Sequence, residues 1–325
     1  MRARLLSETI KAMYDYKRTT CIEGSPGVGK TSLIRQVAEE LKVEYREVHM
    51  PTRLVEDFGI PYPNGDVLKY IIPDWFPTDP NSRGILCFDD RNQASADLQK
   101  VLANICQARN LHGTPLPDGW MVISTGNHQR DRAGANRVLS HLRDRETVLQ
   151  MDTNIDDWTH WALRNGVRSE VISFIAFASH LLCDFDPNRD KNATPRGWVE
   201  GVSPALGVVP AAAEFDTFAG SVGDGAASDF VAYLKTYREV PDIDELLKDP
   251  DNAKLPTEPM IKYATVASIA ARMDTKNIGN AIKYMDRLPG EFGVLGVSLA
   301  IHRDSKLVGT KEFAKWGINN ADILL

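Results

Sequence analysis

Apolar residues recur at helical spacing at Leu5, Leu6, Ile10, Met13 and Tyr14, which predicts a helix over residues 2–16 ahead of the first strand. Residues 19–23 are short and β-branched, as a buried strand is, and Leu33, Ile34, Val37, Ala38 and Leu41 then return to helical spacing. Residues 43–48 alternate at period two and predict a second strand, followed by a turn-rich stretch over 51–59. Asn64-Gly65 lies between two short extended runs within residues 60–72, a strong hairpin signal. Residues 84–90 and 121–127 open as apolar runs of strand length and end in polar residues, and Leu98, Val101, Leu102 and Ile105 predict a helix between them.

Beyond Asp152 the pattern turns to helices without strand runs, at 156–164, 169–182, 228–237, 259–272 and 277–288. A boundary near 152 therefore divides an α/β domain, 1–152, from a helical region, 153–325. Gly and Ala cluster between Gly201 and Ala227, and the stretch is read as connections between helices because apolar residues continue through it.

Between the first strand and its helix stands Gly24-Ser25-Pro26-Gly27-Val28-Gly29-Lys30-Thr31-Ser32, which fits G-x-x-x-x-G-K-[ST] at every fixed position. Glycines let the backbone fold closely around phosphate oxygens, so that amide N–H groups and the positive end of the following helix face the anion. Lys30 is placed to reach β- and γ-phosphates, and the Thr31 hydroxyl suits Mg²⁺, a hard ion that takes oxygen ligands.

The strand at 84–90 ends in two adjacent carboxylates, the form of a Walker B element, and strand ends bring side chains to the ligand-binding edge of a parallel sheet. Asp89 is expected to hold Mg²⁺ through water, and Asp90 to orient and deprotonate an attacking water. Asn127, closing the strand at 121–127, is expected to position that water from the opposite side. Arg130, Arg132, Arg137, Arg143 and Arg145, mixed with Asp131, Asp144 and Glu146, read as a solvated helix of mixed charge.

Composition adds exclusions. A net charge of −6 gives no broad electrostatic footprint for nucleic acid, although a local basic patch remains open. Cys21, Cys87, Cys106 and Cys183 are widely spaced, with no C-x-x-C pair or neighbouring histidine, and are expected to be reduced fillers rather than zinc ligands or disulfides. The first residues lack the apolar run of a leader, and the longest apolar stretch, 171–183, is too short to span a bilayer, so the expectation is a cytoplasmic protein without a membrane role.

With the phosphate loop, the paired carboxylates and the polar strand end in this order, the chain resembles the AAA+ ATPases. Within them it resembles the MoxR-like branch often found beside bacterial and phage genes. The closer match rests on Phe88-Asp89-Asp90-Arg91-Asn92-Gln93-Ala94, similar to the branch's D-E-x-N-[RQ]-A, on the hairpin over 60–72, and on Thr194-Pro195-Arg196-Gly197-Trp198, which looks like a sensor 2 segment. The resemblance implies a P-loop AAA+ parallel-sheet domain followed by an α-helical lid and a C-terminal helical region, assembling into a ring, usually a hexamer. It implies ATP and Mg²⁺ as cofactors, Asn127 as sensor 1, Arg196 as sensor 2 and Arg145 as the arginine finger, with Arg143 in reserve. Asp90 departs from the branch's glutamate and is shorter by one methylene, which points to slow hydrolysis.

Three functions stay open at this level. The first is an ATP-driven, chaperone-like remodeller of a protein partner, for which the resemblance suggests a von Willebrand A-type domain protein. The second is a nucleic-acid motor or loader, and the third a slow nucleotide-dependent switch.

Overall fold

The computed structural model describes residues 1–128, 138–238, 240 and 242–320. It divides into two compact units, residues 1–154 with 185–188, and residues 155–184 with 189–325.

The first unit opens with α1 (Ala3–Asp15), which buries Leu6, Ile10, Met13 and Tyr14 and leaves Leu5 half exposed, one residue fewer in the stripe than the spacing predicts. The Tyr14 hydroxyl donates to the carbonyl of Gly119 at 2.7 Å, fixing the helix to the sheet. The chain continues through β1 (Thr20–Glu23), α2 (Lys30–Leu41), β2 (Glu44–His49), the hairpin β3 (Ile60–Asn64) and β4 (Val67–Ile71), β5 (Arg83–Asp89) and α3 (Ala96–Ala108). A small hairpin, β6 (Asn110–Leu111) and β7 (Thr114–Pro115), precedes β8 (Gly119–Gly126), α4 (Ser140–Arg143) and β9 (Thr147–Gln150).

Five of these strands form one sheet in the order β2-β5-β8-β1-β9, and every neighbouring pair is parallel. Parallel strands require crossovers: α3 lies on the one from β5 to its neighbour β8, and α2 on the longer one from β1 across to β2 at the sheet edge. Phe58, Trp75, Phe76, Phe88 and Trp120 are all buried in one cluster on the sheet; Trp75 meets Phe58, Phe76 and Phe88 edge-on. Burial of each such side chain contributes roughly 2–3 kcal/mol.

Two differences from the sequence reading concern the same stretch. The mixed-charge helix expected up to Glu146 is a single turn, α4, among the described residues, and Glu146 itself is fully buried rather than solvated. Arg130, Arg132 and Arg137 lie outside the described residues. Thr147–Gln150 then forms the fifth strand, paired with β1 from Thr20↔Thr147 to Glu23↔Gln150, which the four-residue pattern did not predict.

The hairpin β3–β4 forms as expected, with Gly65 at φ +62° followed by Asp66 in the two-residue turn. Its side chains are exposed along both strands. Pro61 pairs with Tyr70 and Pro63 with Leu68; counted from the turn, these are the pairs whose peptide groups face away from the opposite strand. Tyr70 stacks on His112 at 3.8 Å between ring centroids.

The second unit is helical: α5 (Ile155–Arg164), α6 (Ser169–Phe177), α7 (Ser203–Ala205), α8 (Glu214–Val222), α9 (Asp224–Arg238), α10 (Ile243–Lys248), α11 (Pro259–Arg272), α12 (Ile278–Met285), α13 (Gly290–Arg303) and α14 (Lys311–Asn319). The glycine and alanine cluster is not merely connection, because it contains all of α8 and the start of α9. Phe174, Trp198, Phe230 and Tyr233 pack at ring separations of 5.0–5.6 Å in the middle of this unit. The buried Tyr233 and Ser173 hydroxyls satisfy each other at 2.7 Å. No helix among the described residues is long and apolar enough to cross a membrane.

Candidate functional site

The site grows from the carboxyl ends of β1, β5 and β8. β1 ends at Glu23, and Gly24 bonds back to the sheet through its N–H to the Gly126 carbonyl at 3.2 Å. A Cβ at Gly24 would stand 3.0 Å from the Met151 carbonyl, and Gly27 and Gly29 adopt φ +76° and +95°, a left-handed backbone that suits glycine. The loop can therefore curl tightly into α2. Gly29 caps that helix without a side-chain bond, so its first N–H groups stay directed at the loop.

Lys30 is buried at the first position of α2. Its ammonium donates to the carbonyls of Gly24 at 2.9 Å and Ser25 at 3.1 Å, and to Asn127 Oδ1 at 2.9 Å. The adjacent Thr31 hydroxyl donates to Asp89 Oδ1 at 2.5 Å, and Thr125 donates to the same oxygen at 2.7 Å. His49, at the end of β2, lies 3.2 Å from Asp89 Oδ2. Burial alone would raise the Asp89 carboxyl, but the hydrogen bonds from Thr31, Thr125 and His49 outweigh it and hold the group below the usual carboxylate range. An ionised carboxylate beside a threonine hydroxyl is a hard, all-oxygen donor pair, which suits a magnesium ion.

Asp90 follows β5 in a left-handed backbone, φ +53°, which turns the chain sharply at the sheet edge. Its N–H is held by Thr125 Oγ1 at 2.9 Å, and its carboxylate accepts from Asn127 Nδ2 at 3.3 Å and Gln93 Nε2 at 3.2 Å. Asn127 thus bridges Lys30 and Asp90 with the two ends of one amide. Its backbone is clamped in turn by Asn92, which donates to the Asn127 carbonyl at 2.7 Å and accepts from its N–H at 3.3 Å.

The structure therefore brings together Lys30, Thr31, Asp89, Asp90 and Asn127 around the loop 24–32. Arg143 reaches only the residue that precedes the loop, and Arg145 lies away from it in the same unit. Arg145 directly precedes Glu146 and β9, whose Thr147 pairs with Thr20 at the start of β1, the sheet edge opposite the phosphate loop. Arg143 is half exposed and pairs with Glu23 at 3.3 Å. Arg196 belongs to the second unit, exposed at the start of the helical turn Gly197–Val202, whose Trp198 is anchored by its Nε1–H to the Leu181 carbonyl at 2.7 Å.

Sequence reasoning assigned no role to Glu23, His49 or Thr125, used Arg91 and Asn92 only as parts of a motif, and read Glu146 as part of a solvated helix. Period two alone sets Thr125 on the same face as Asn127, a signal that was available. No local pattern marks Arg91, which reaches Glu23 and Glu146 only through the tertiary fold.

Residues 19–145 match the family model described as AAA domain (dynein-related subfamily). No curated protein shows significant sequence similarity to this chain. Among solved structures, a candidate ATPase from Cytophaga hutchinsonii is 12% identical over 92% of this chain and 81% of that chain, with a TM-score of 0.39. A point mutant of Thermotoga maritima RuvB is 15% identical over 87% of this chain and 75% of that one, with a TM-score of 0.36. On the family match and the parallel sheet that carries the loop, this chain contains an AAA domain with the α/β P-loop AAA+ fold.

Proposed function

We propose that this chain is a magnesium-dependent AAA+ ATPase of the MoxR-like type, which works in the cytoplasm as a hexameric ring and changes the conformation or assembly of a partner protein. The observation that carries the reading is the convergence of Lys30 and Asp90 on the two ends of the Asn127 amide, beside the Thr31–Asp89 pair, at the carboxyl edge of a parallel sheet.

In this reading residues 24–32 wrap the phosphates of ATP, and the Lys30 ammonium moves from the Gly24 and Ser25 carbonyls to the β- and γ-phosphates. Magnesium, when bound, neutralises phosphate charge; Thr31 and Asp89 would hold it. Asp90 receives a proton from the attacking water, and Asn127 fixes the orientation of that carboxylate. Arg145 serves the neighbouring subunit's nucleotide, because it stands at the opposite sheet edge from its own loop. Arg196 contributes from the helical lid as sensor 2, and a von Willebrand A-type domain protein is the partner class suggested by the MoxR-like resemblance.

A slow nucleotide switch is the second reading, favoured by Asp90: a short carboxylate, restrained by Asn127 and Gln93, is limited in how far it reaches toward a water. The deciding experiment is an ATPase assay in magnesium and in EDTA, with and without single-stranded DNA, beside native mass spectrometry with ADP and a slowly hydrolysed analogue. Expected are magnesium-dependent turnover, no stimulation by DNA, and a hexamer with the analogue. Strong stimulation by DNA would favour a nucleic-acid motor or loader instead, and binding without turnover would favour the switch.

A further inference from the structure

Beneath the site lies a cluster of charge that the mechanism above does not use. Arg91, immediately after Asp90, is fully buried. Its guanidinium reaches Glu23 at 3.3 Å, Glu146 at 3.0 Å and the Ser124 hydroxyl at 3.1 Å. Ser124 also donates to Glu146 at 2.5 Å. Glu23 is bound further by Arg143 at 3.3 Å and by Gln150 Nε2 at 3.0 Å.

The chain positions of these groups matter as much as the distances. Glu23 directly precedes Gly24 of the phosphate loop, Arg91 directly follows Asp90, and Glu146 directly follows Arg145. Ser124 sits on the strand that presents Thr125 and Asn127. One guanidinium therefore ties together the segments that carry four proposed functions: phosphate binding, water activation, sensing and the arginine finger. Across the left-handed turn at Asp90 the two neighbouring side chains part: Asp90 meets Asn127 and Gln93, and Arg91 meets the buried carboxylates.

A buried ion pair is not justified by stability alone, because an apolar replacement of the same volume is often as stable or more so. Burial, with the nearby Glu23 charge, leaves the Glu146 carboxyl above its ordinary value even though Arg91 and the Ser124 hydroxyl draw it down, so the geometry of the guanidinium is what holds the cluster together.

We propose that Arg91 is a positioning residue that locks Asp90 and the Arg145-bearing turn into one rigid frame, so that each subunit's own site and the finger it offers its neighbour are set together. The inference rests on the ATPase reading given above. It separates two quantities: nucleotide affinity depends on the loop and Lys30, whereas turnover depends on the frame.

The test measures kcat, KM for ATP and the melting temperature for wild type, Arg91→Lys, Arg91→Met and the neutral triple variant Glu23→Gln/Arg91→Met/Glu146→Gln, with Lys30→Ala as control. Arg91→Lys keeps the charge but loses the fork that spans two carboxylates. Expected is a fall in kcat on the order of a hundredfold in all three variants, with KM within about twofold of wild type, since small misplacements of catalytic groups cost that much. The triple variant leaves no buried charge unpaired and should melt near wild type, which separates positioning from folding. Wild-type kcat in the triple variant overturns the inference, as does a loss of turnover that follows the melting temperature across the series. A wild type whose turnover does not depend on Lys30 overturns the ATPase reading and the inference with it, whereas an active, Lys30-dependent wild type beside undiminished variants overturns the inference alone.

Discussion

Asn127 Nδ2 stands 3.3 Å from Asp90 Oδ1 while Asn127 Oδ1 accepts from the Lys30 ammonium at 2.9 Å, so a single amide orients both the Lys30 ammonium and the Asp90 carboxylate. Replacing Asn127 with Ala should therefore reduce turnover by roughly 10²–10³ and weaken ATP binding much less, because the loop amides remain. Single-turnover rates beside equilibrium binding of a fluorescent ATP analogue make the measurement. A variant that loses affinity and rate in equal proportion would show that Asn127 acts through Lys30 alone.

Asp90 should prove a partially competent base. Asp90→Glu lengthens the side chain toward the water and is expected to raise turnover, at a stability cost of about 1 kcal/mol for a longer residue in the left-handed turn. Asp90→Asn should lower turnover while leaving nucleotide binding intact. Equal rates in all three forms would make Asp90 structural.

The Arg145 proposal predicts recovery by mixing. Arg145→Ala subunits keep a sound phosphate loop but offer no finger, and Lys30→Ala subunits offer the finger without the loop, so each alone should be inactive. A guanidinium delivered to the γ-phosphoryl is worth about 10³–10⁵ in rate, which makes even partial recovery measurable. Co-assembled rings, verified by native mass spectrometry, should regain activity. If Arg145→Ala is near wild type, Arg143→Ala should be the inactive form; it carries a second duty as a partner of Glu23 and should also lower the melting temperature.

Glu170 gives a dependence on pH with a definite sign. Burial acts to raise its carboxyl, but the Arg168 guanidinium, with Nη2 at 2.8 Å, and the local hydrogen bonds outweigh it, so the folded pKa lies below the ordinary value of 4.5. A depressed carboxyl stabilises the fold above its unfolded value and ceases to do so as pH falls through the folded one. Arg168→Met should therefore be less stable than wild type at about pH 7, by no more than about 1 kcal/mol because the arginine is half exposed, and nearly equal to it at about pH 3. Urea midpoints at the two pH values decide it; a gap that persists in acid would mean that Arg168 acts through packing.

Thiol labelling tests the interior of the first unit. Burial pushes the Cys21 thiol up to about 12 and also raises Cys87 and Cys106. At about pH 8 the Cys21 thiolate fraction is then on the order of 10⁻⁴, and the reagent has no access to it. Native protein should modify only at Cys183, the one cysteine that is not fully buried, whereas denatured protein should take up four labels. Rapid native labelling at Cys21 or Cys87 would mean that the sheet opens locally.

The sequence made the working edge of the sheet legible because the loop 24–32 and the paired carboxylates need fixed residue types at fixed spacing, the one between a short β-branched strand and an amphipathic helix, the other closing an apolar strand. Thr147–Gln150 was missed because four residues after a run of charge carry too little periodicity to stand out. α8 was missed for a related reason: alanine and glycine around it blur the apolar stripe that would mark it. Arg91, Glu23 and Glu146 are separated by tens of residues in sequence, so their cluster exists only once the parallel strands bring them side by side.

The prolines of the exposed hairpin have a consequence for how the protein behaves at high concentration. With Pro61 and Pro63 facing outward, the free border of β3 lacks N–H donors at two successive outward positions, while β4 still presents those of Leu68 and Tyr70. Another extended chain has a full set of backbone partners along β4 only. Two hairpins that met there would leave a proline border on each outer side, where the missing donors disfavour further pairing. A ribbon that exposes Ile60, Val67, Leu68 and Ile71 thus offers donors and acceptors along one margin but acceptors alone at two positions of the other.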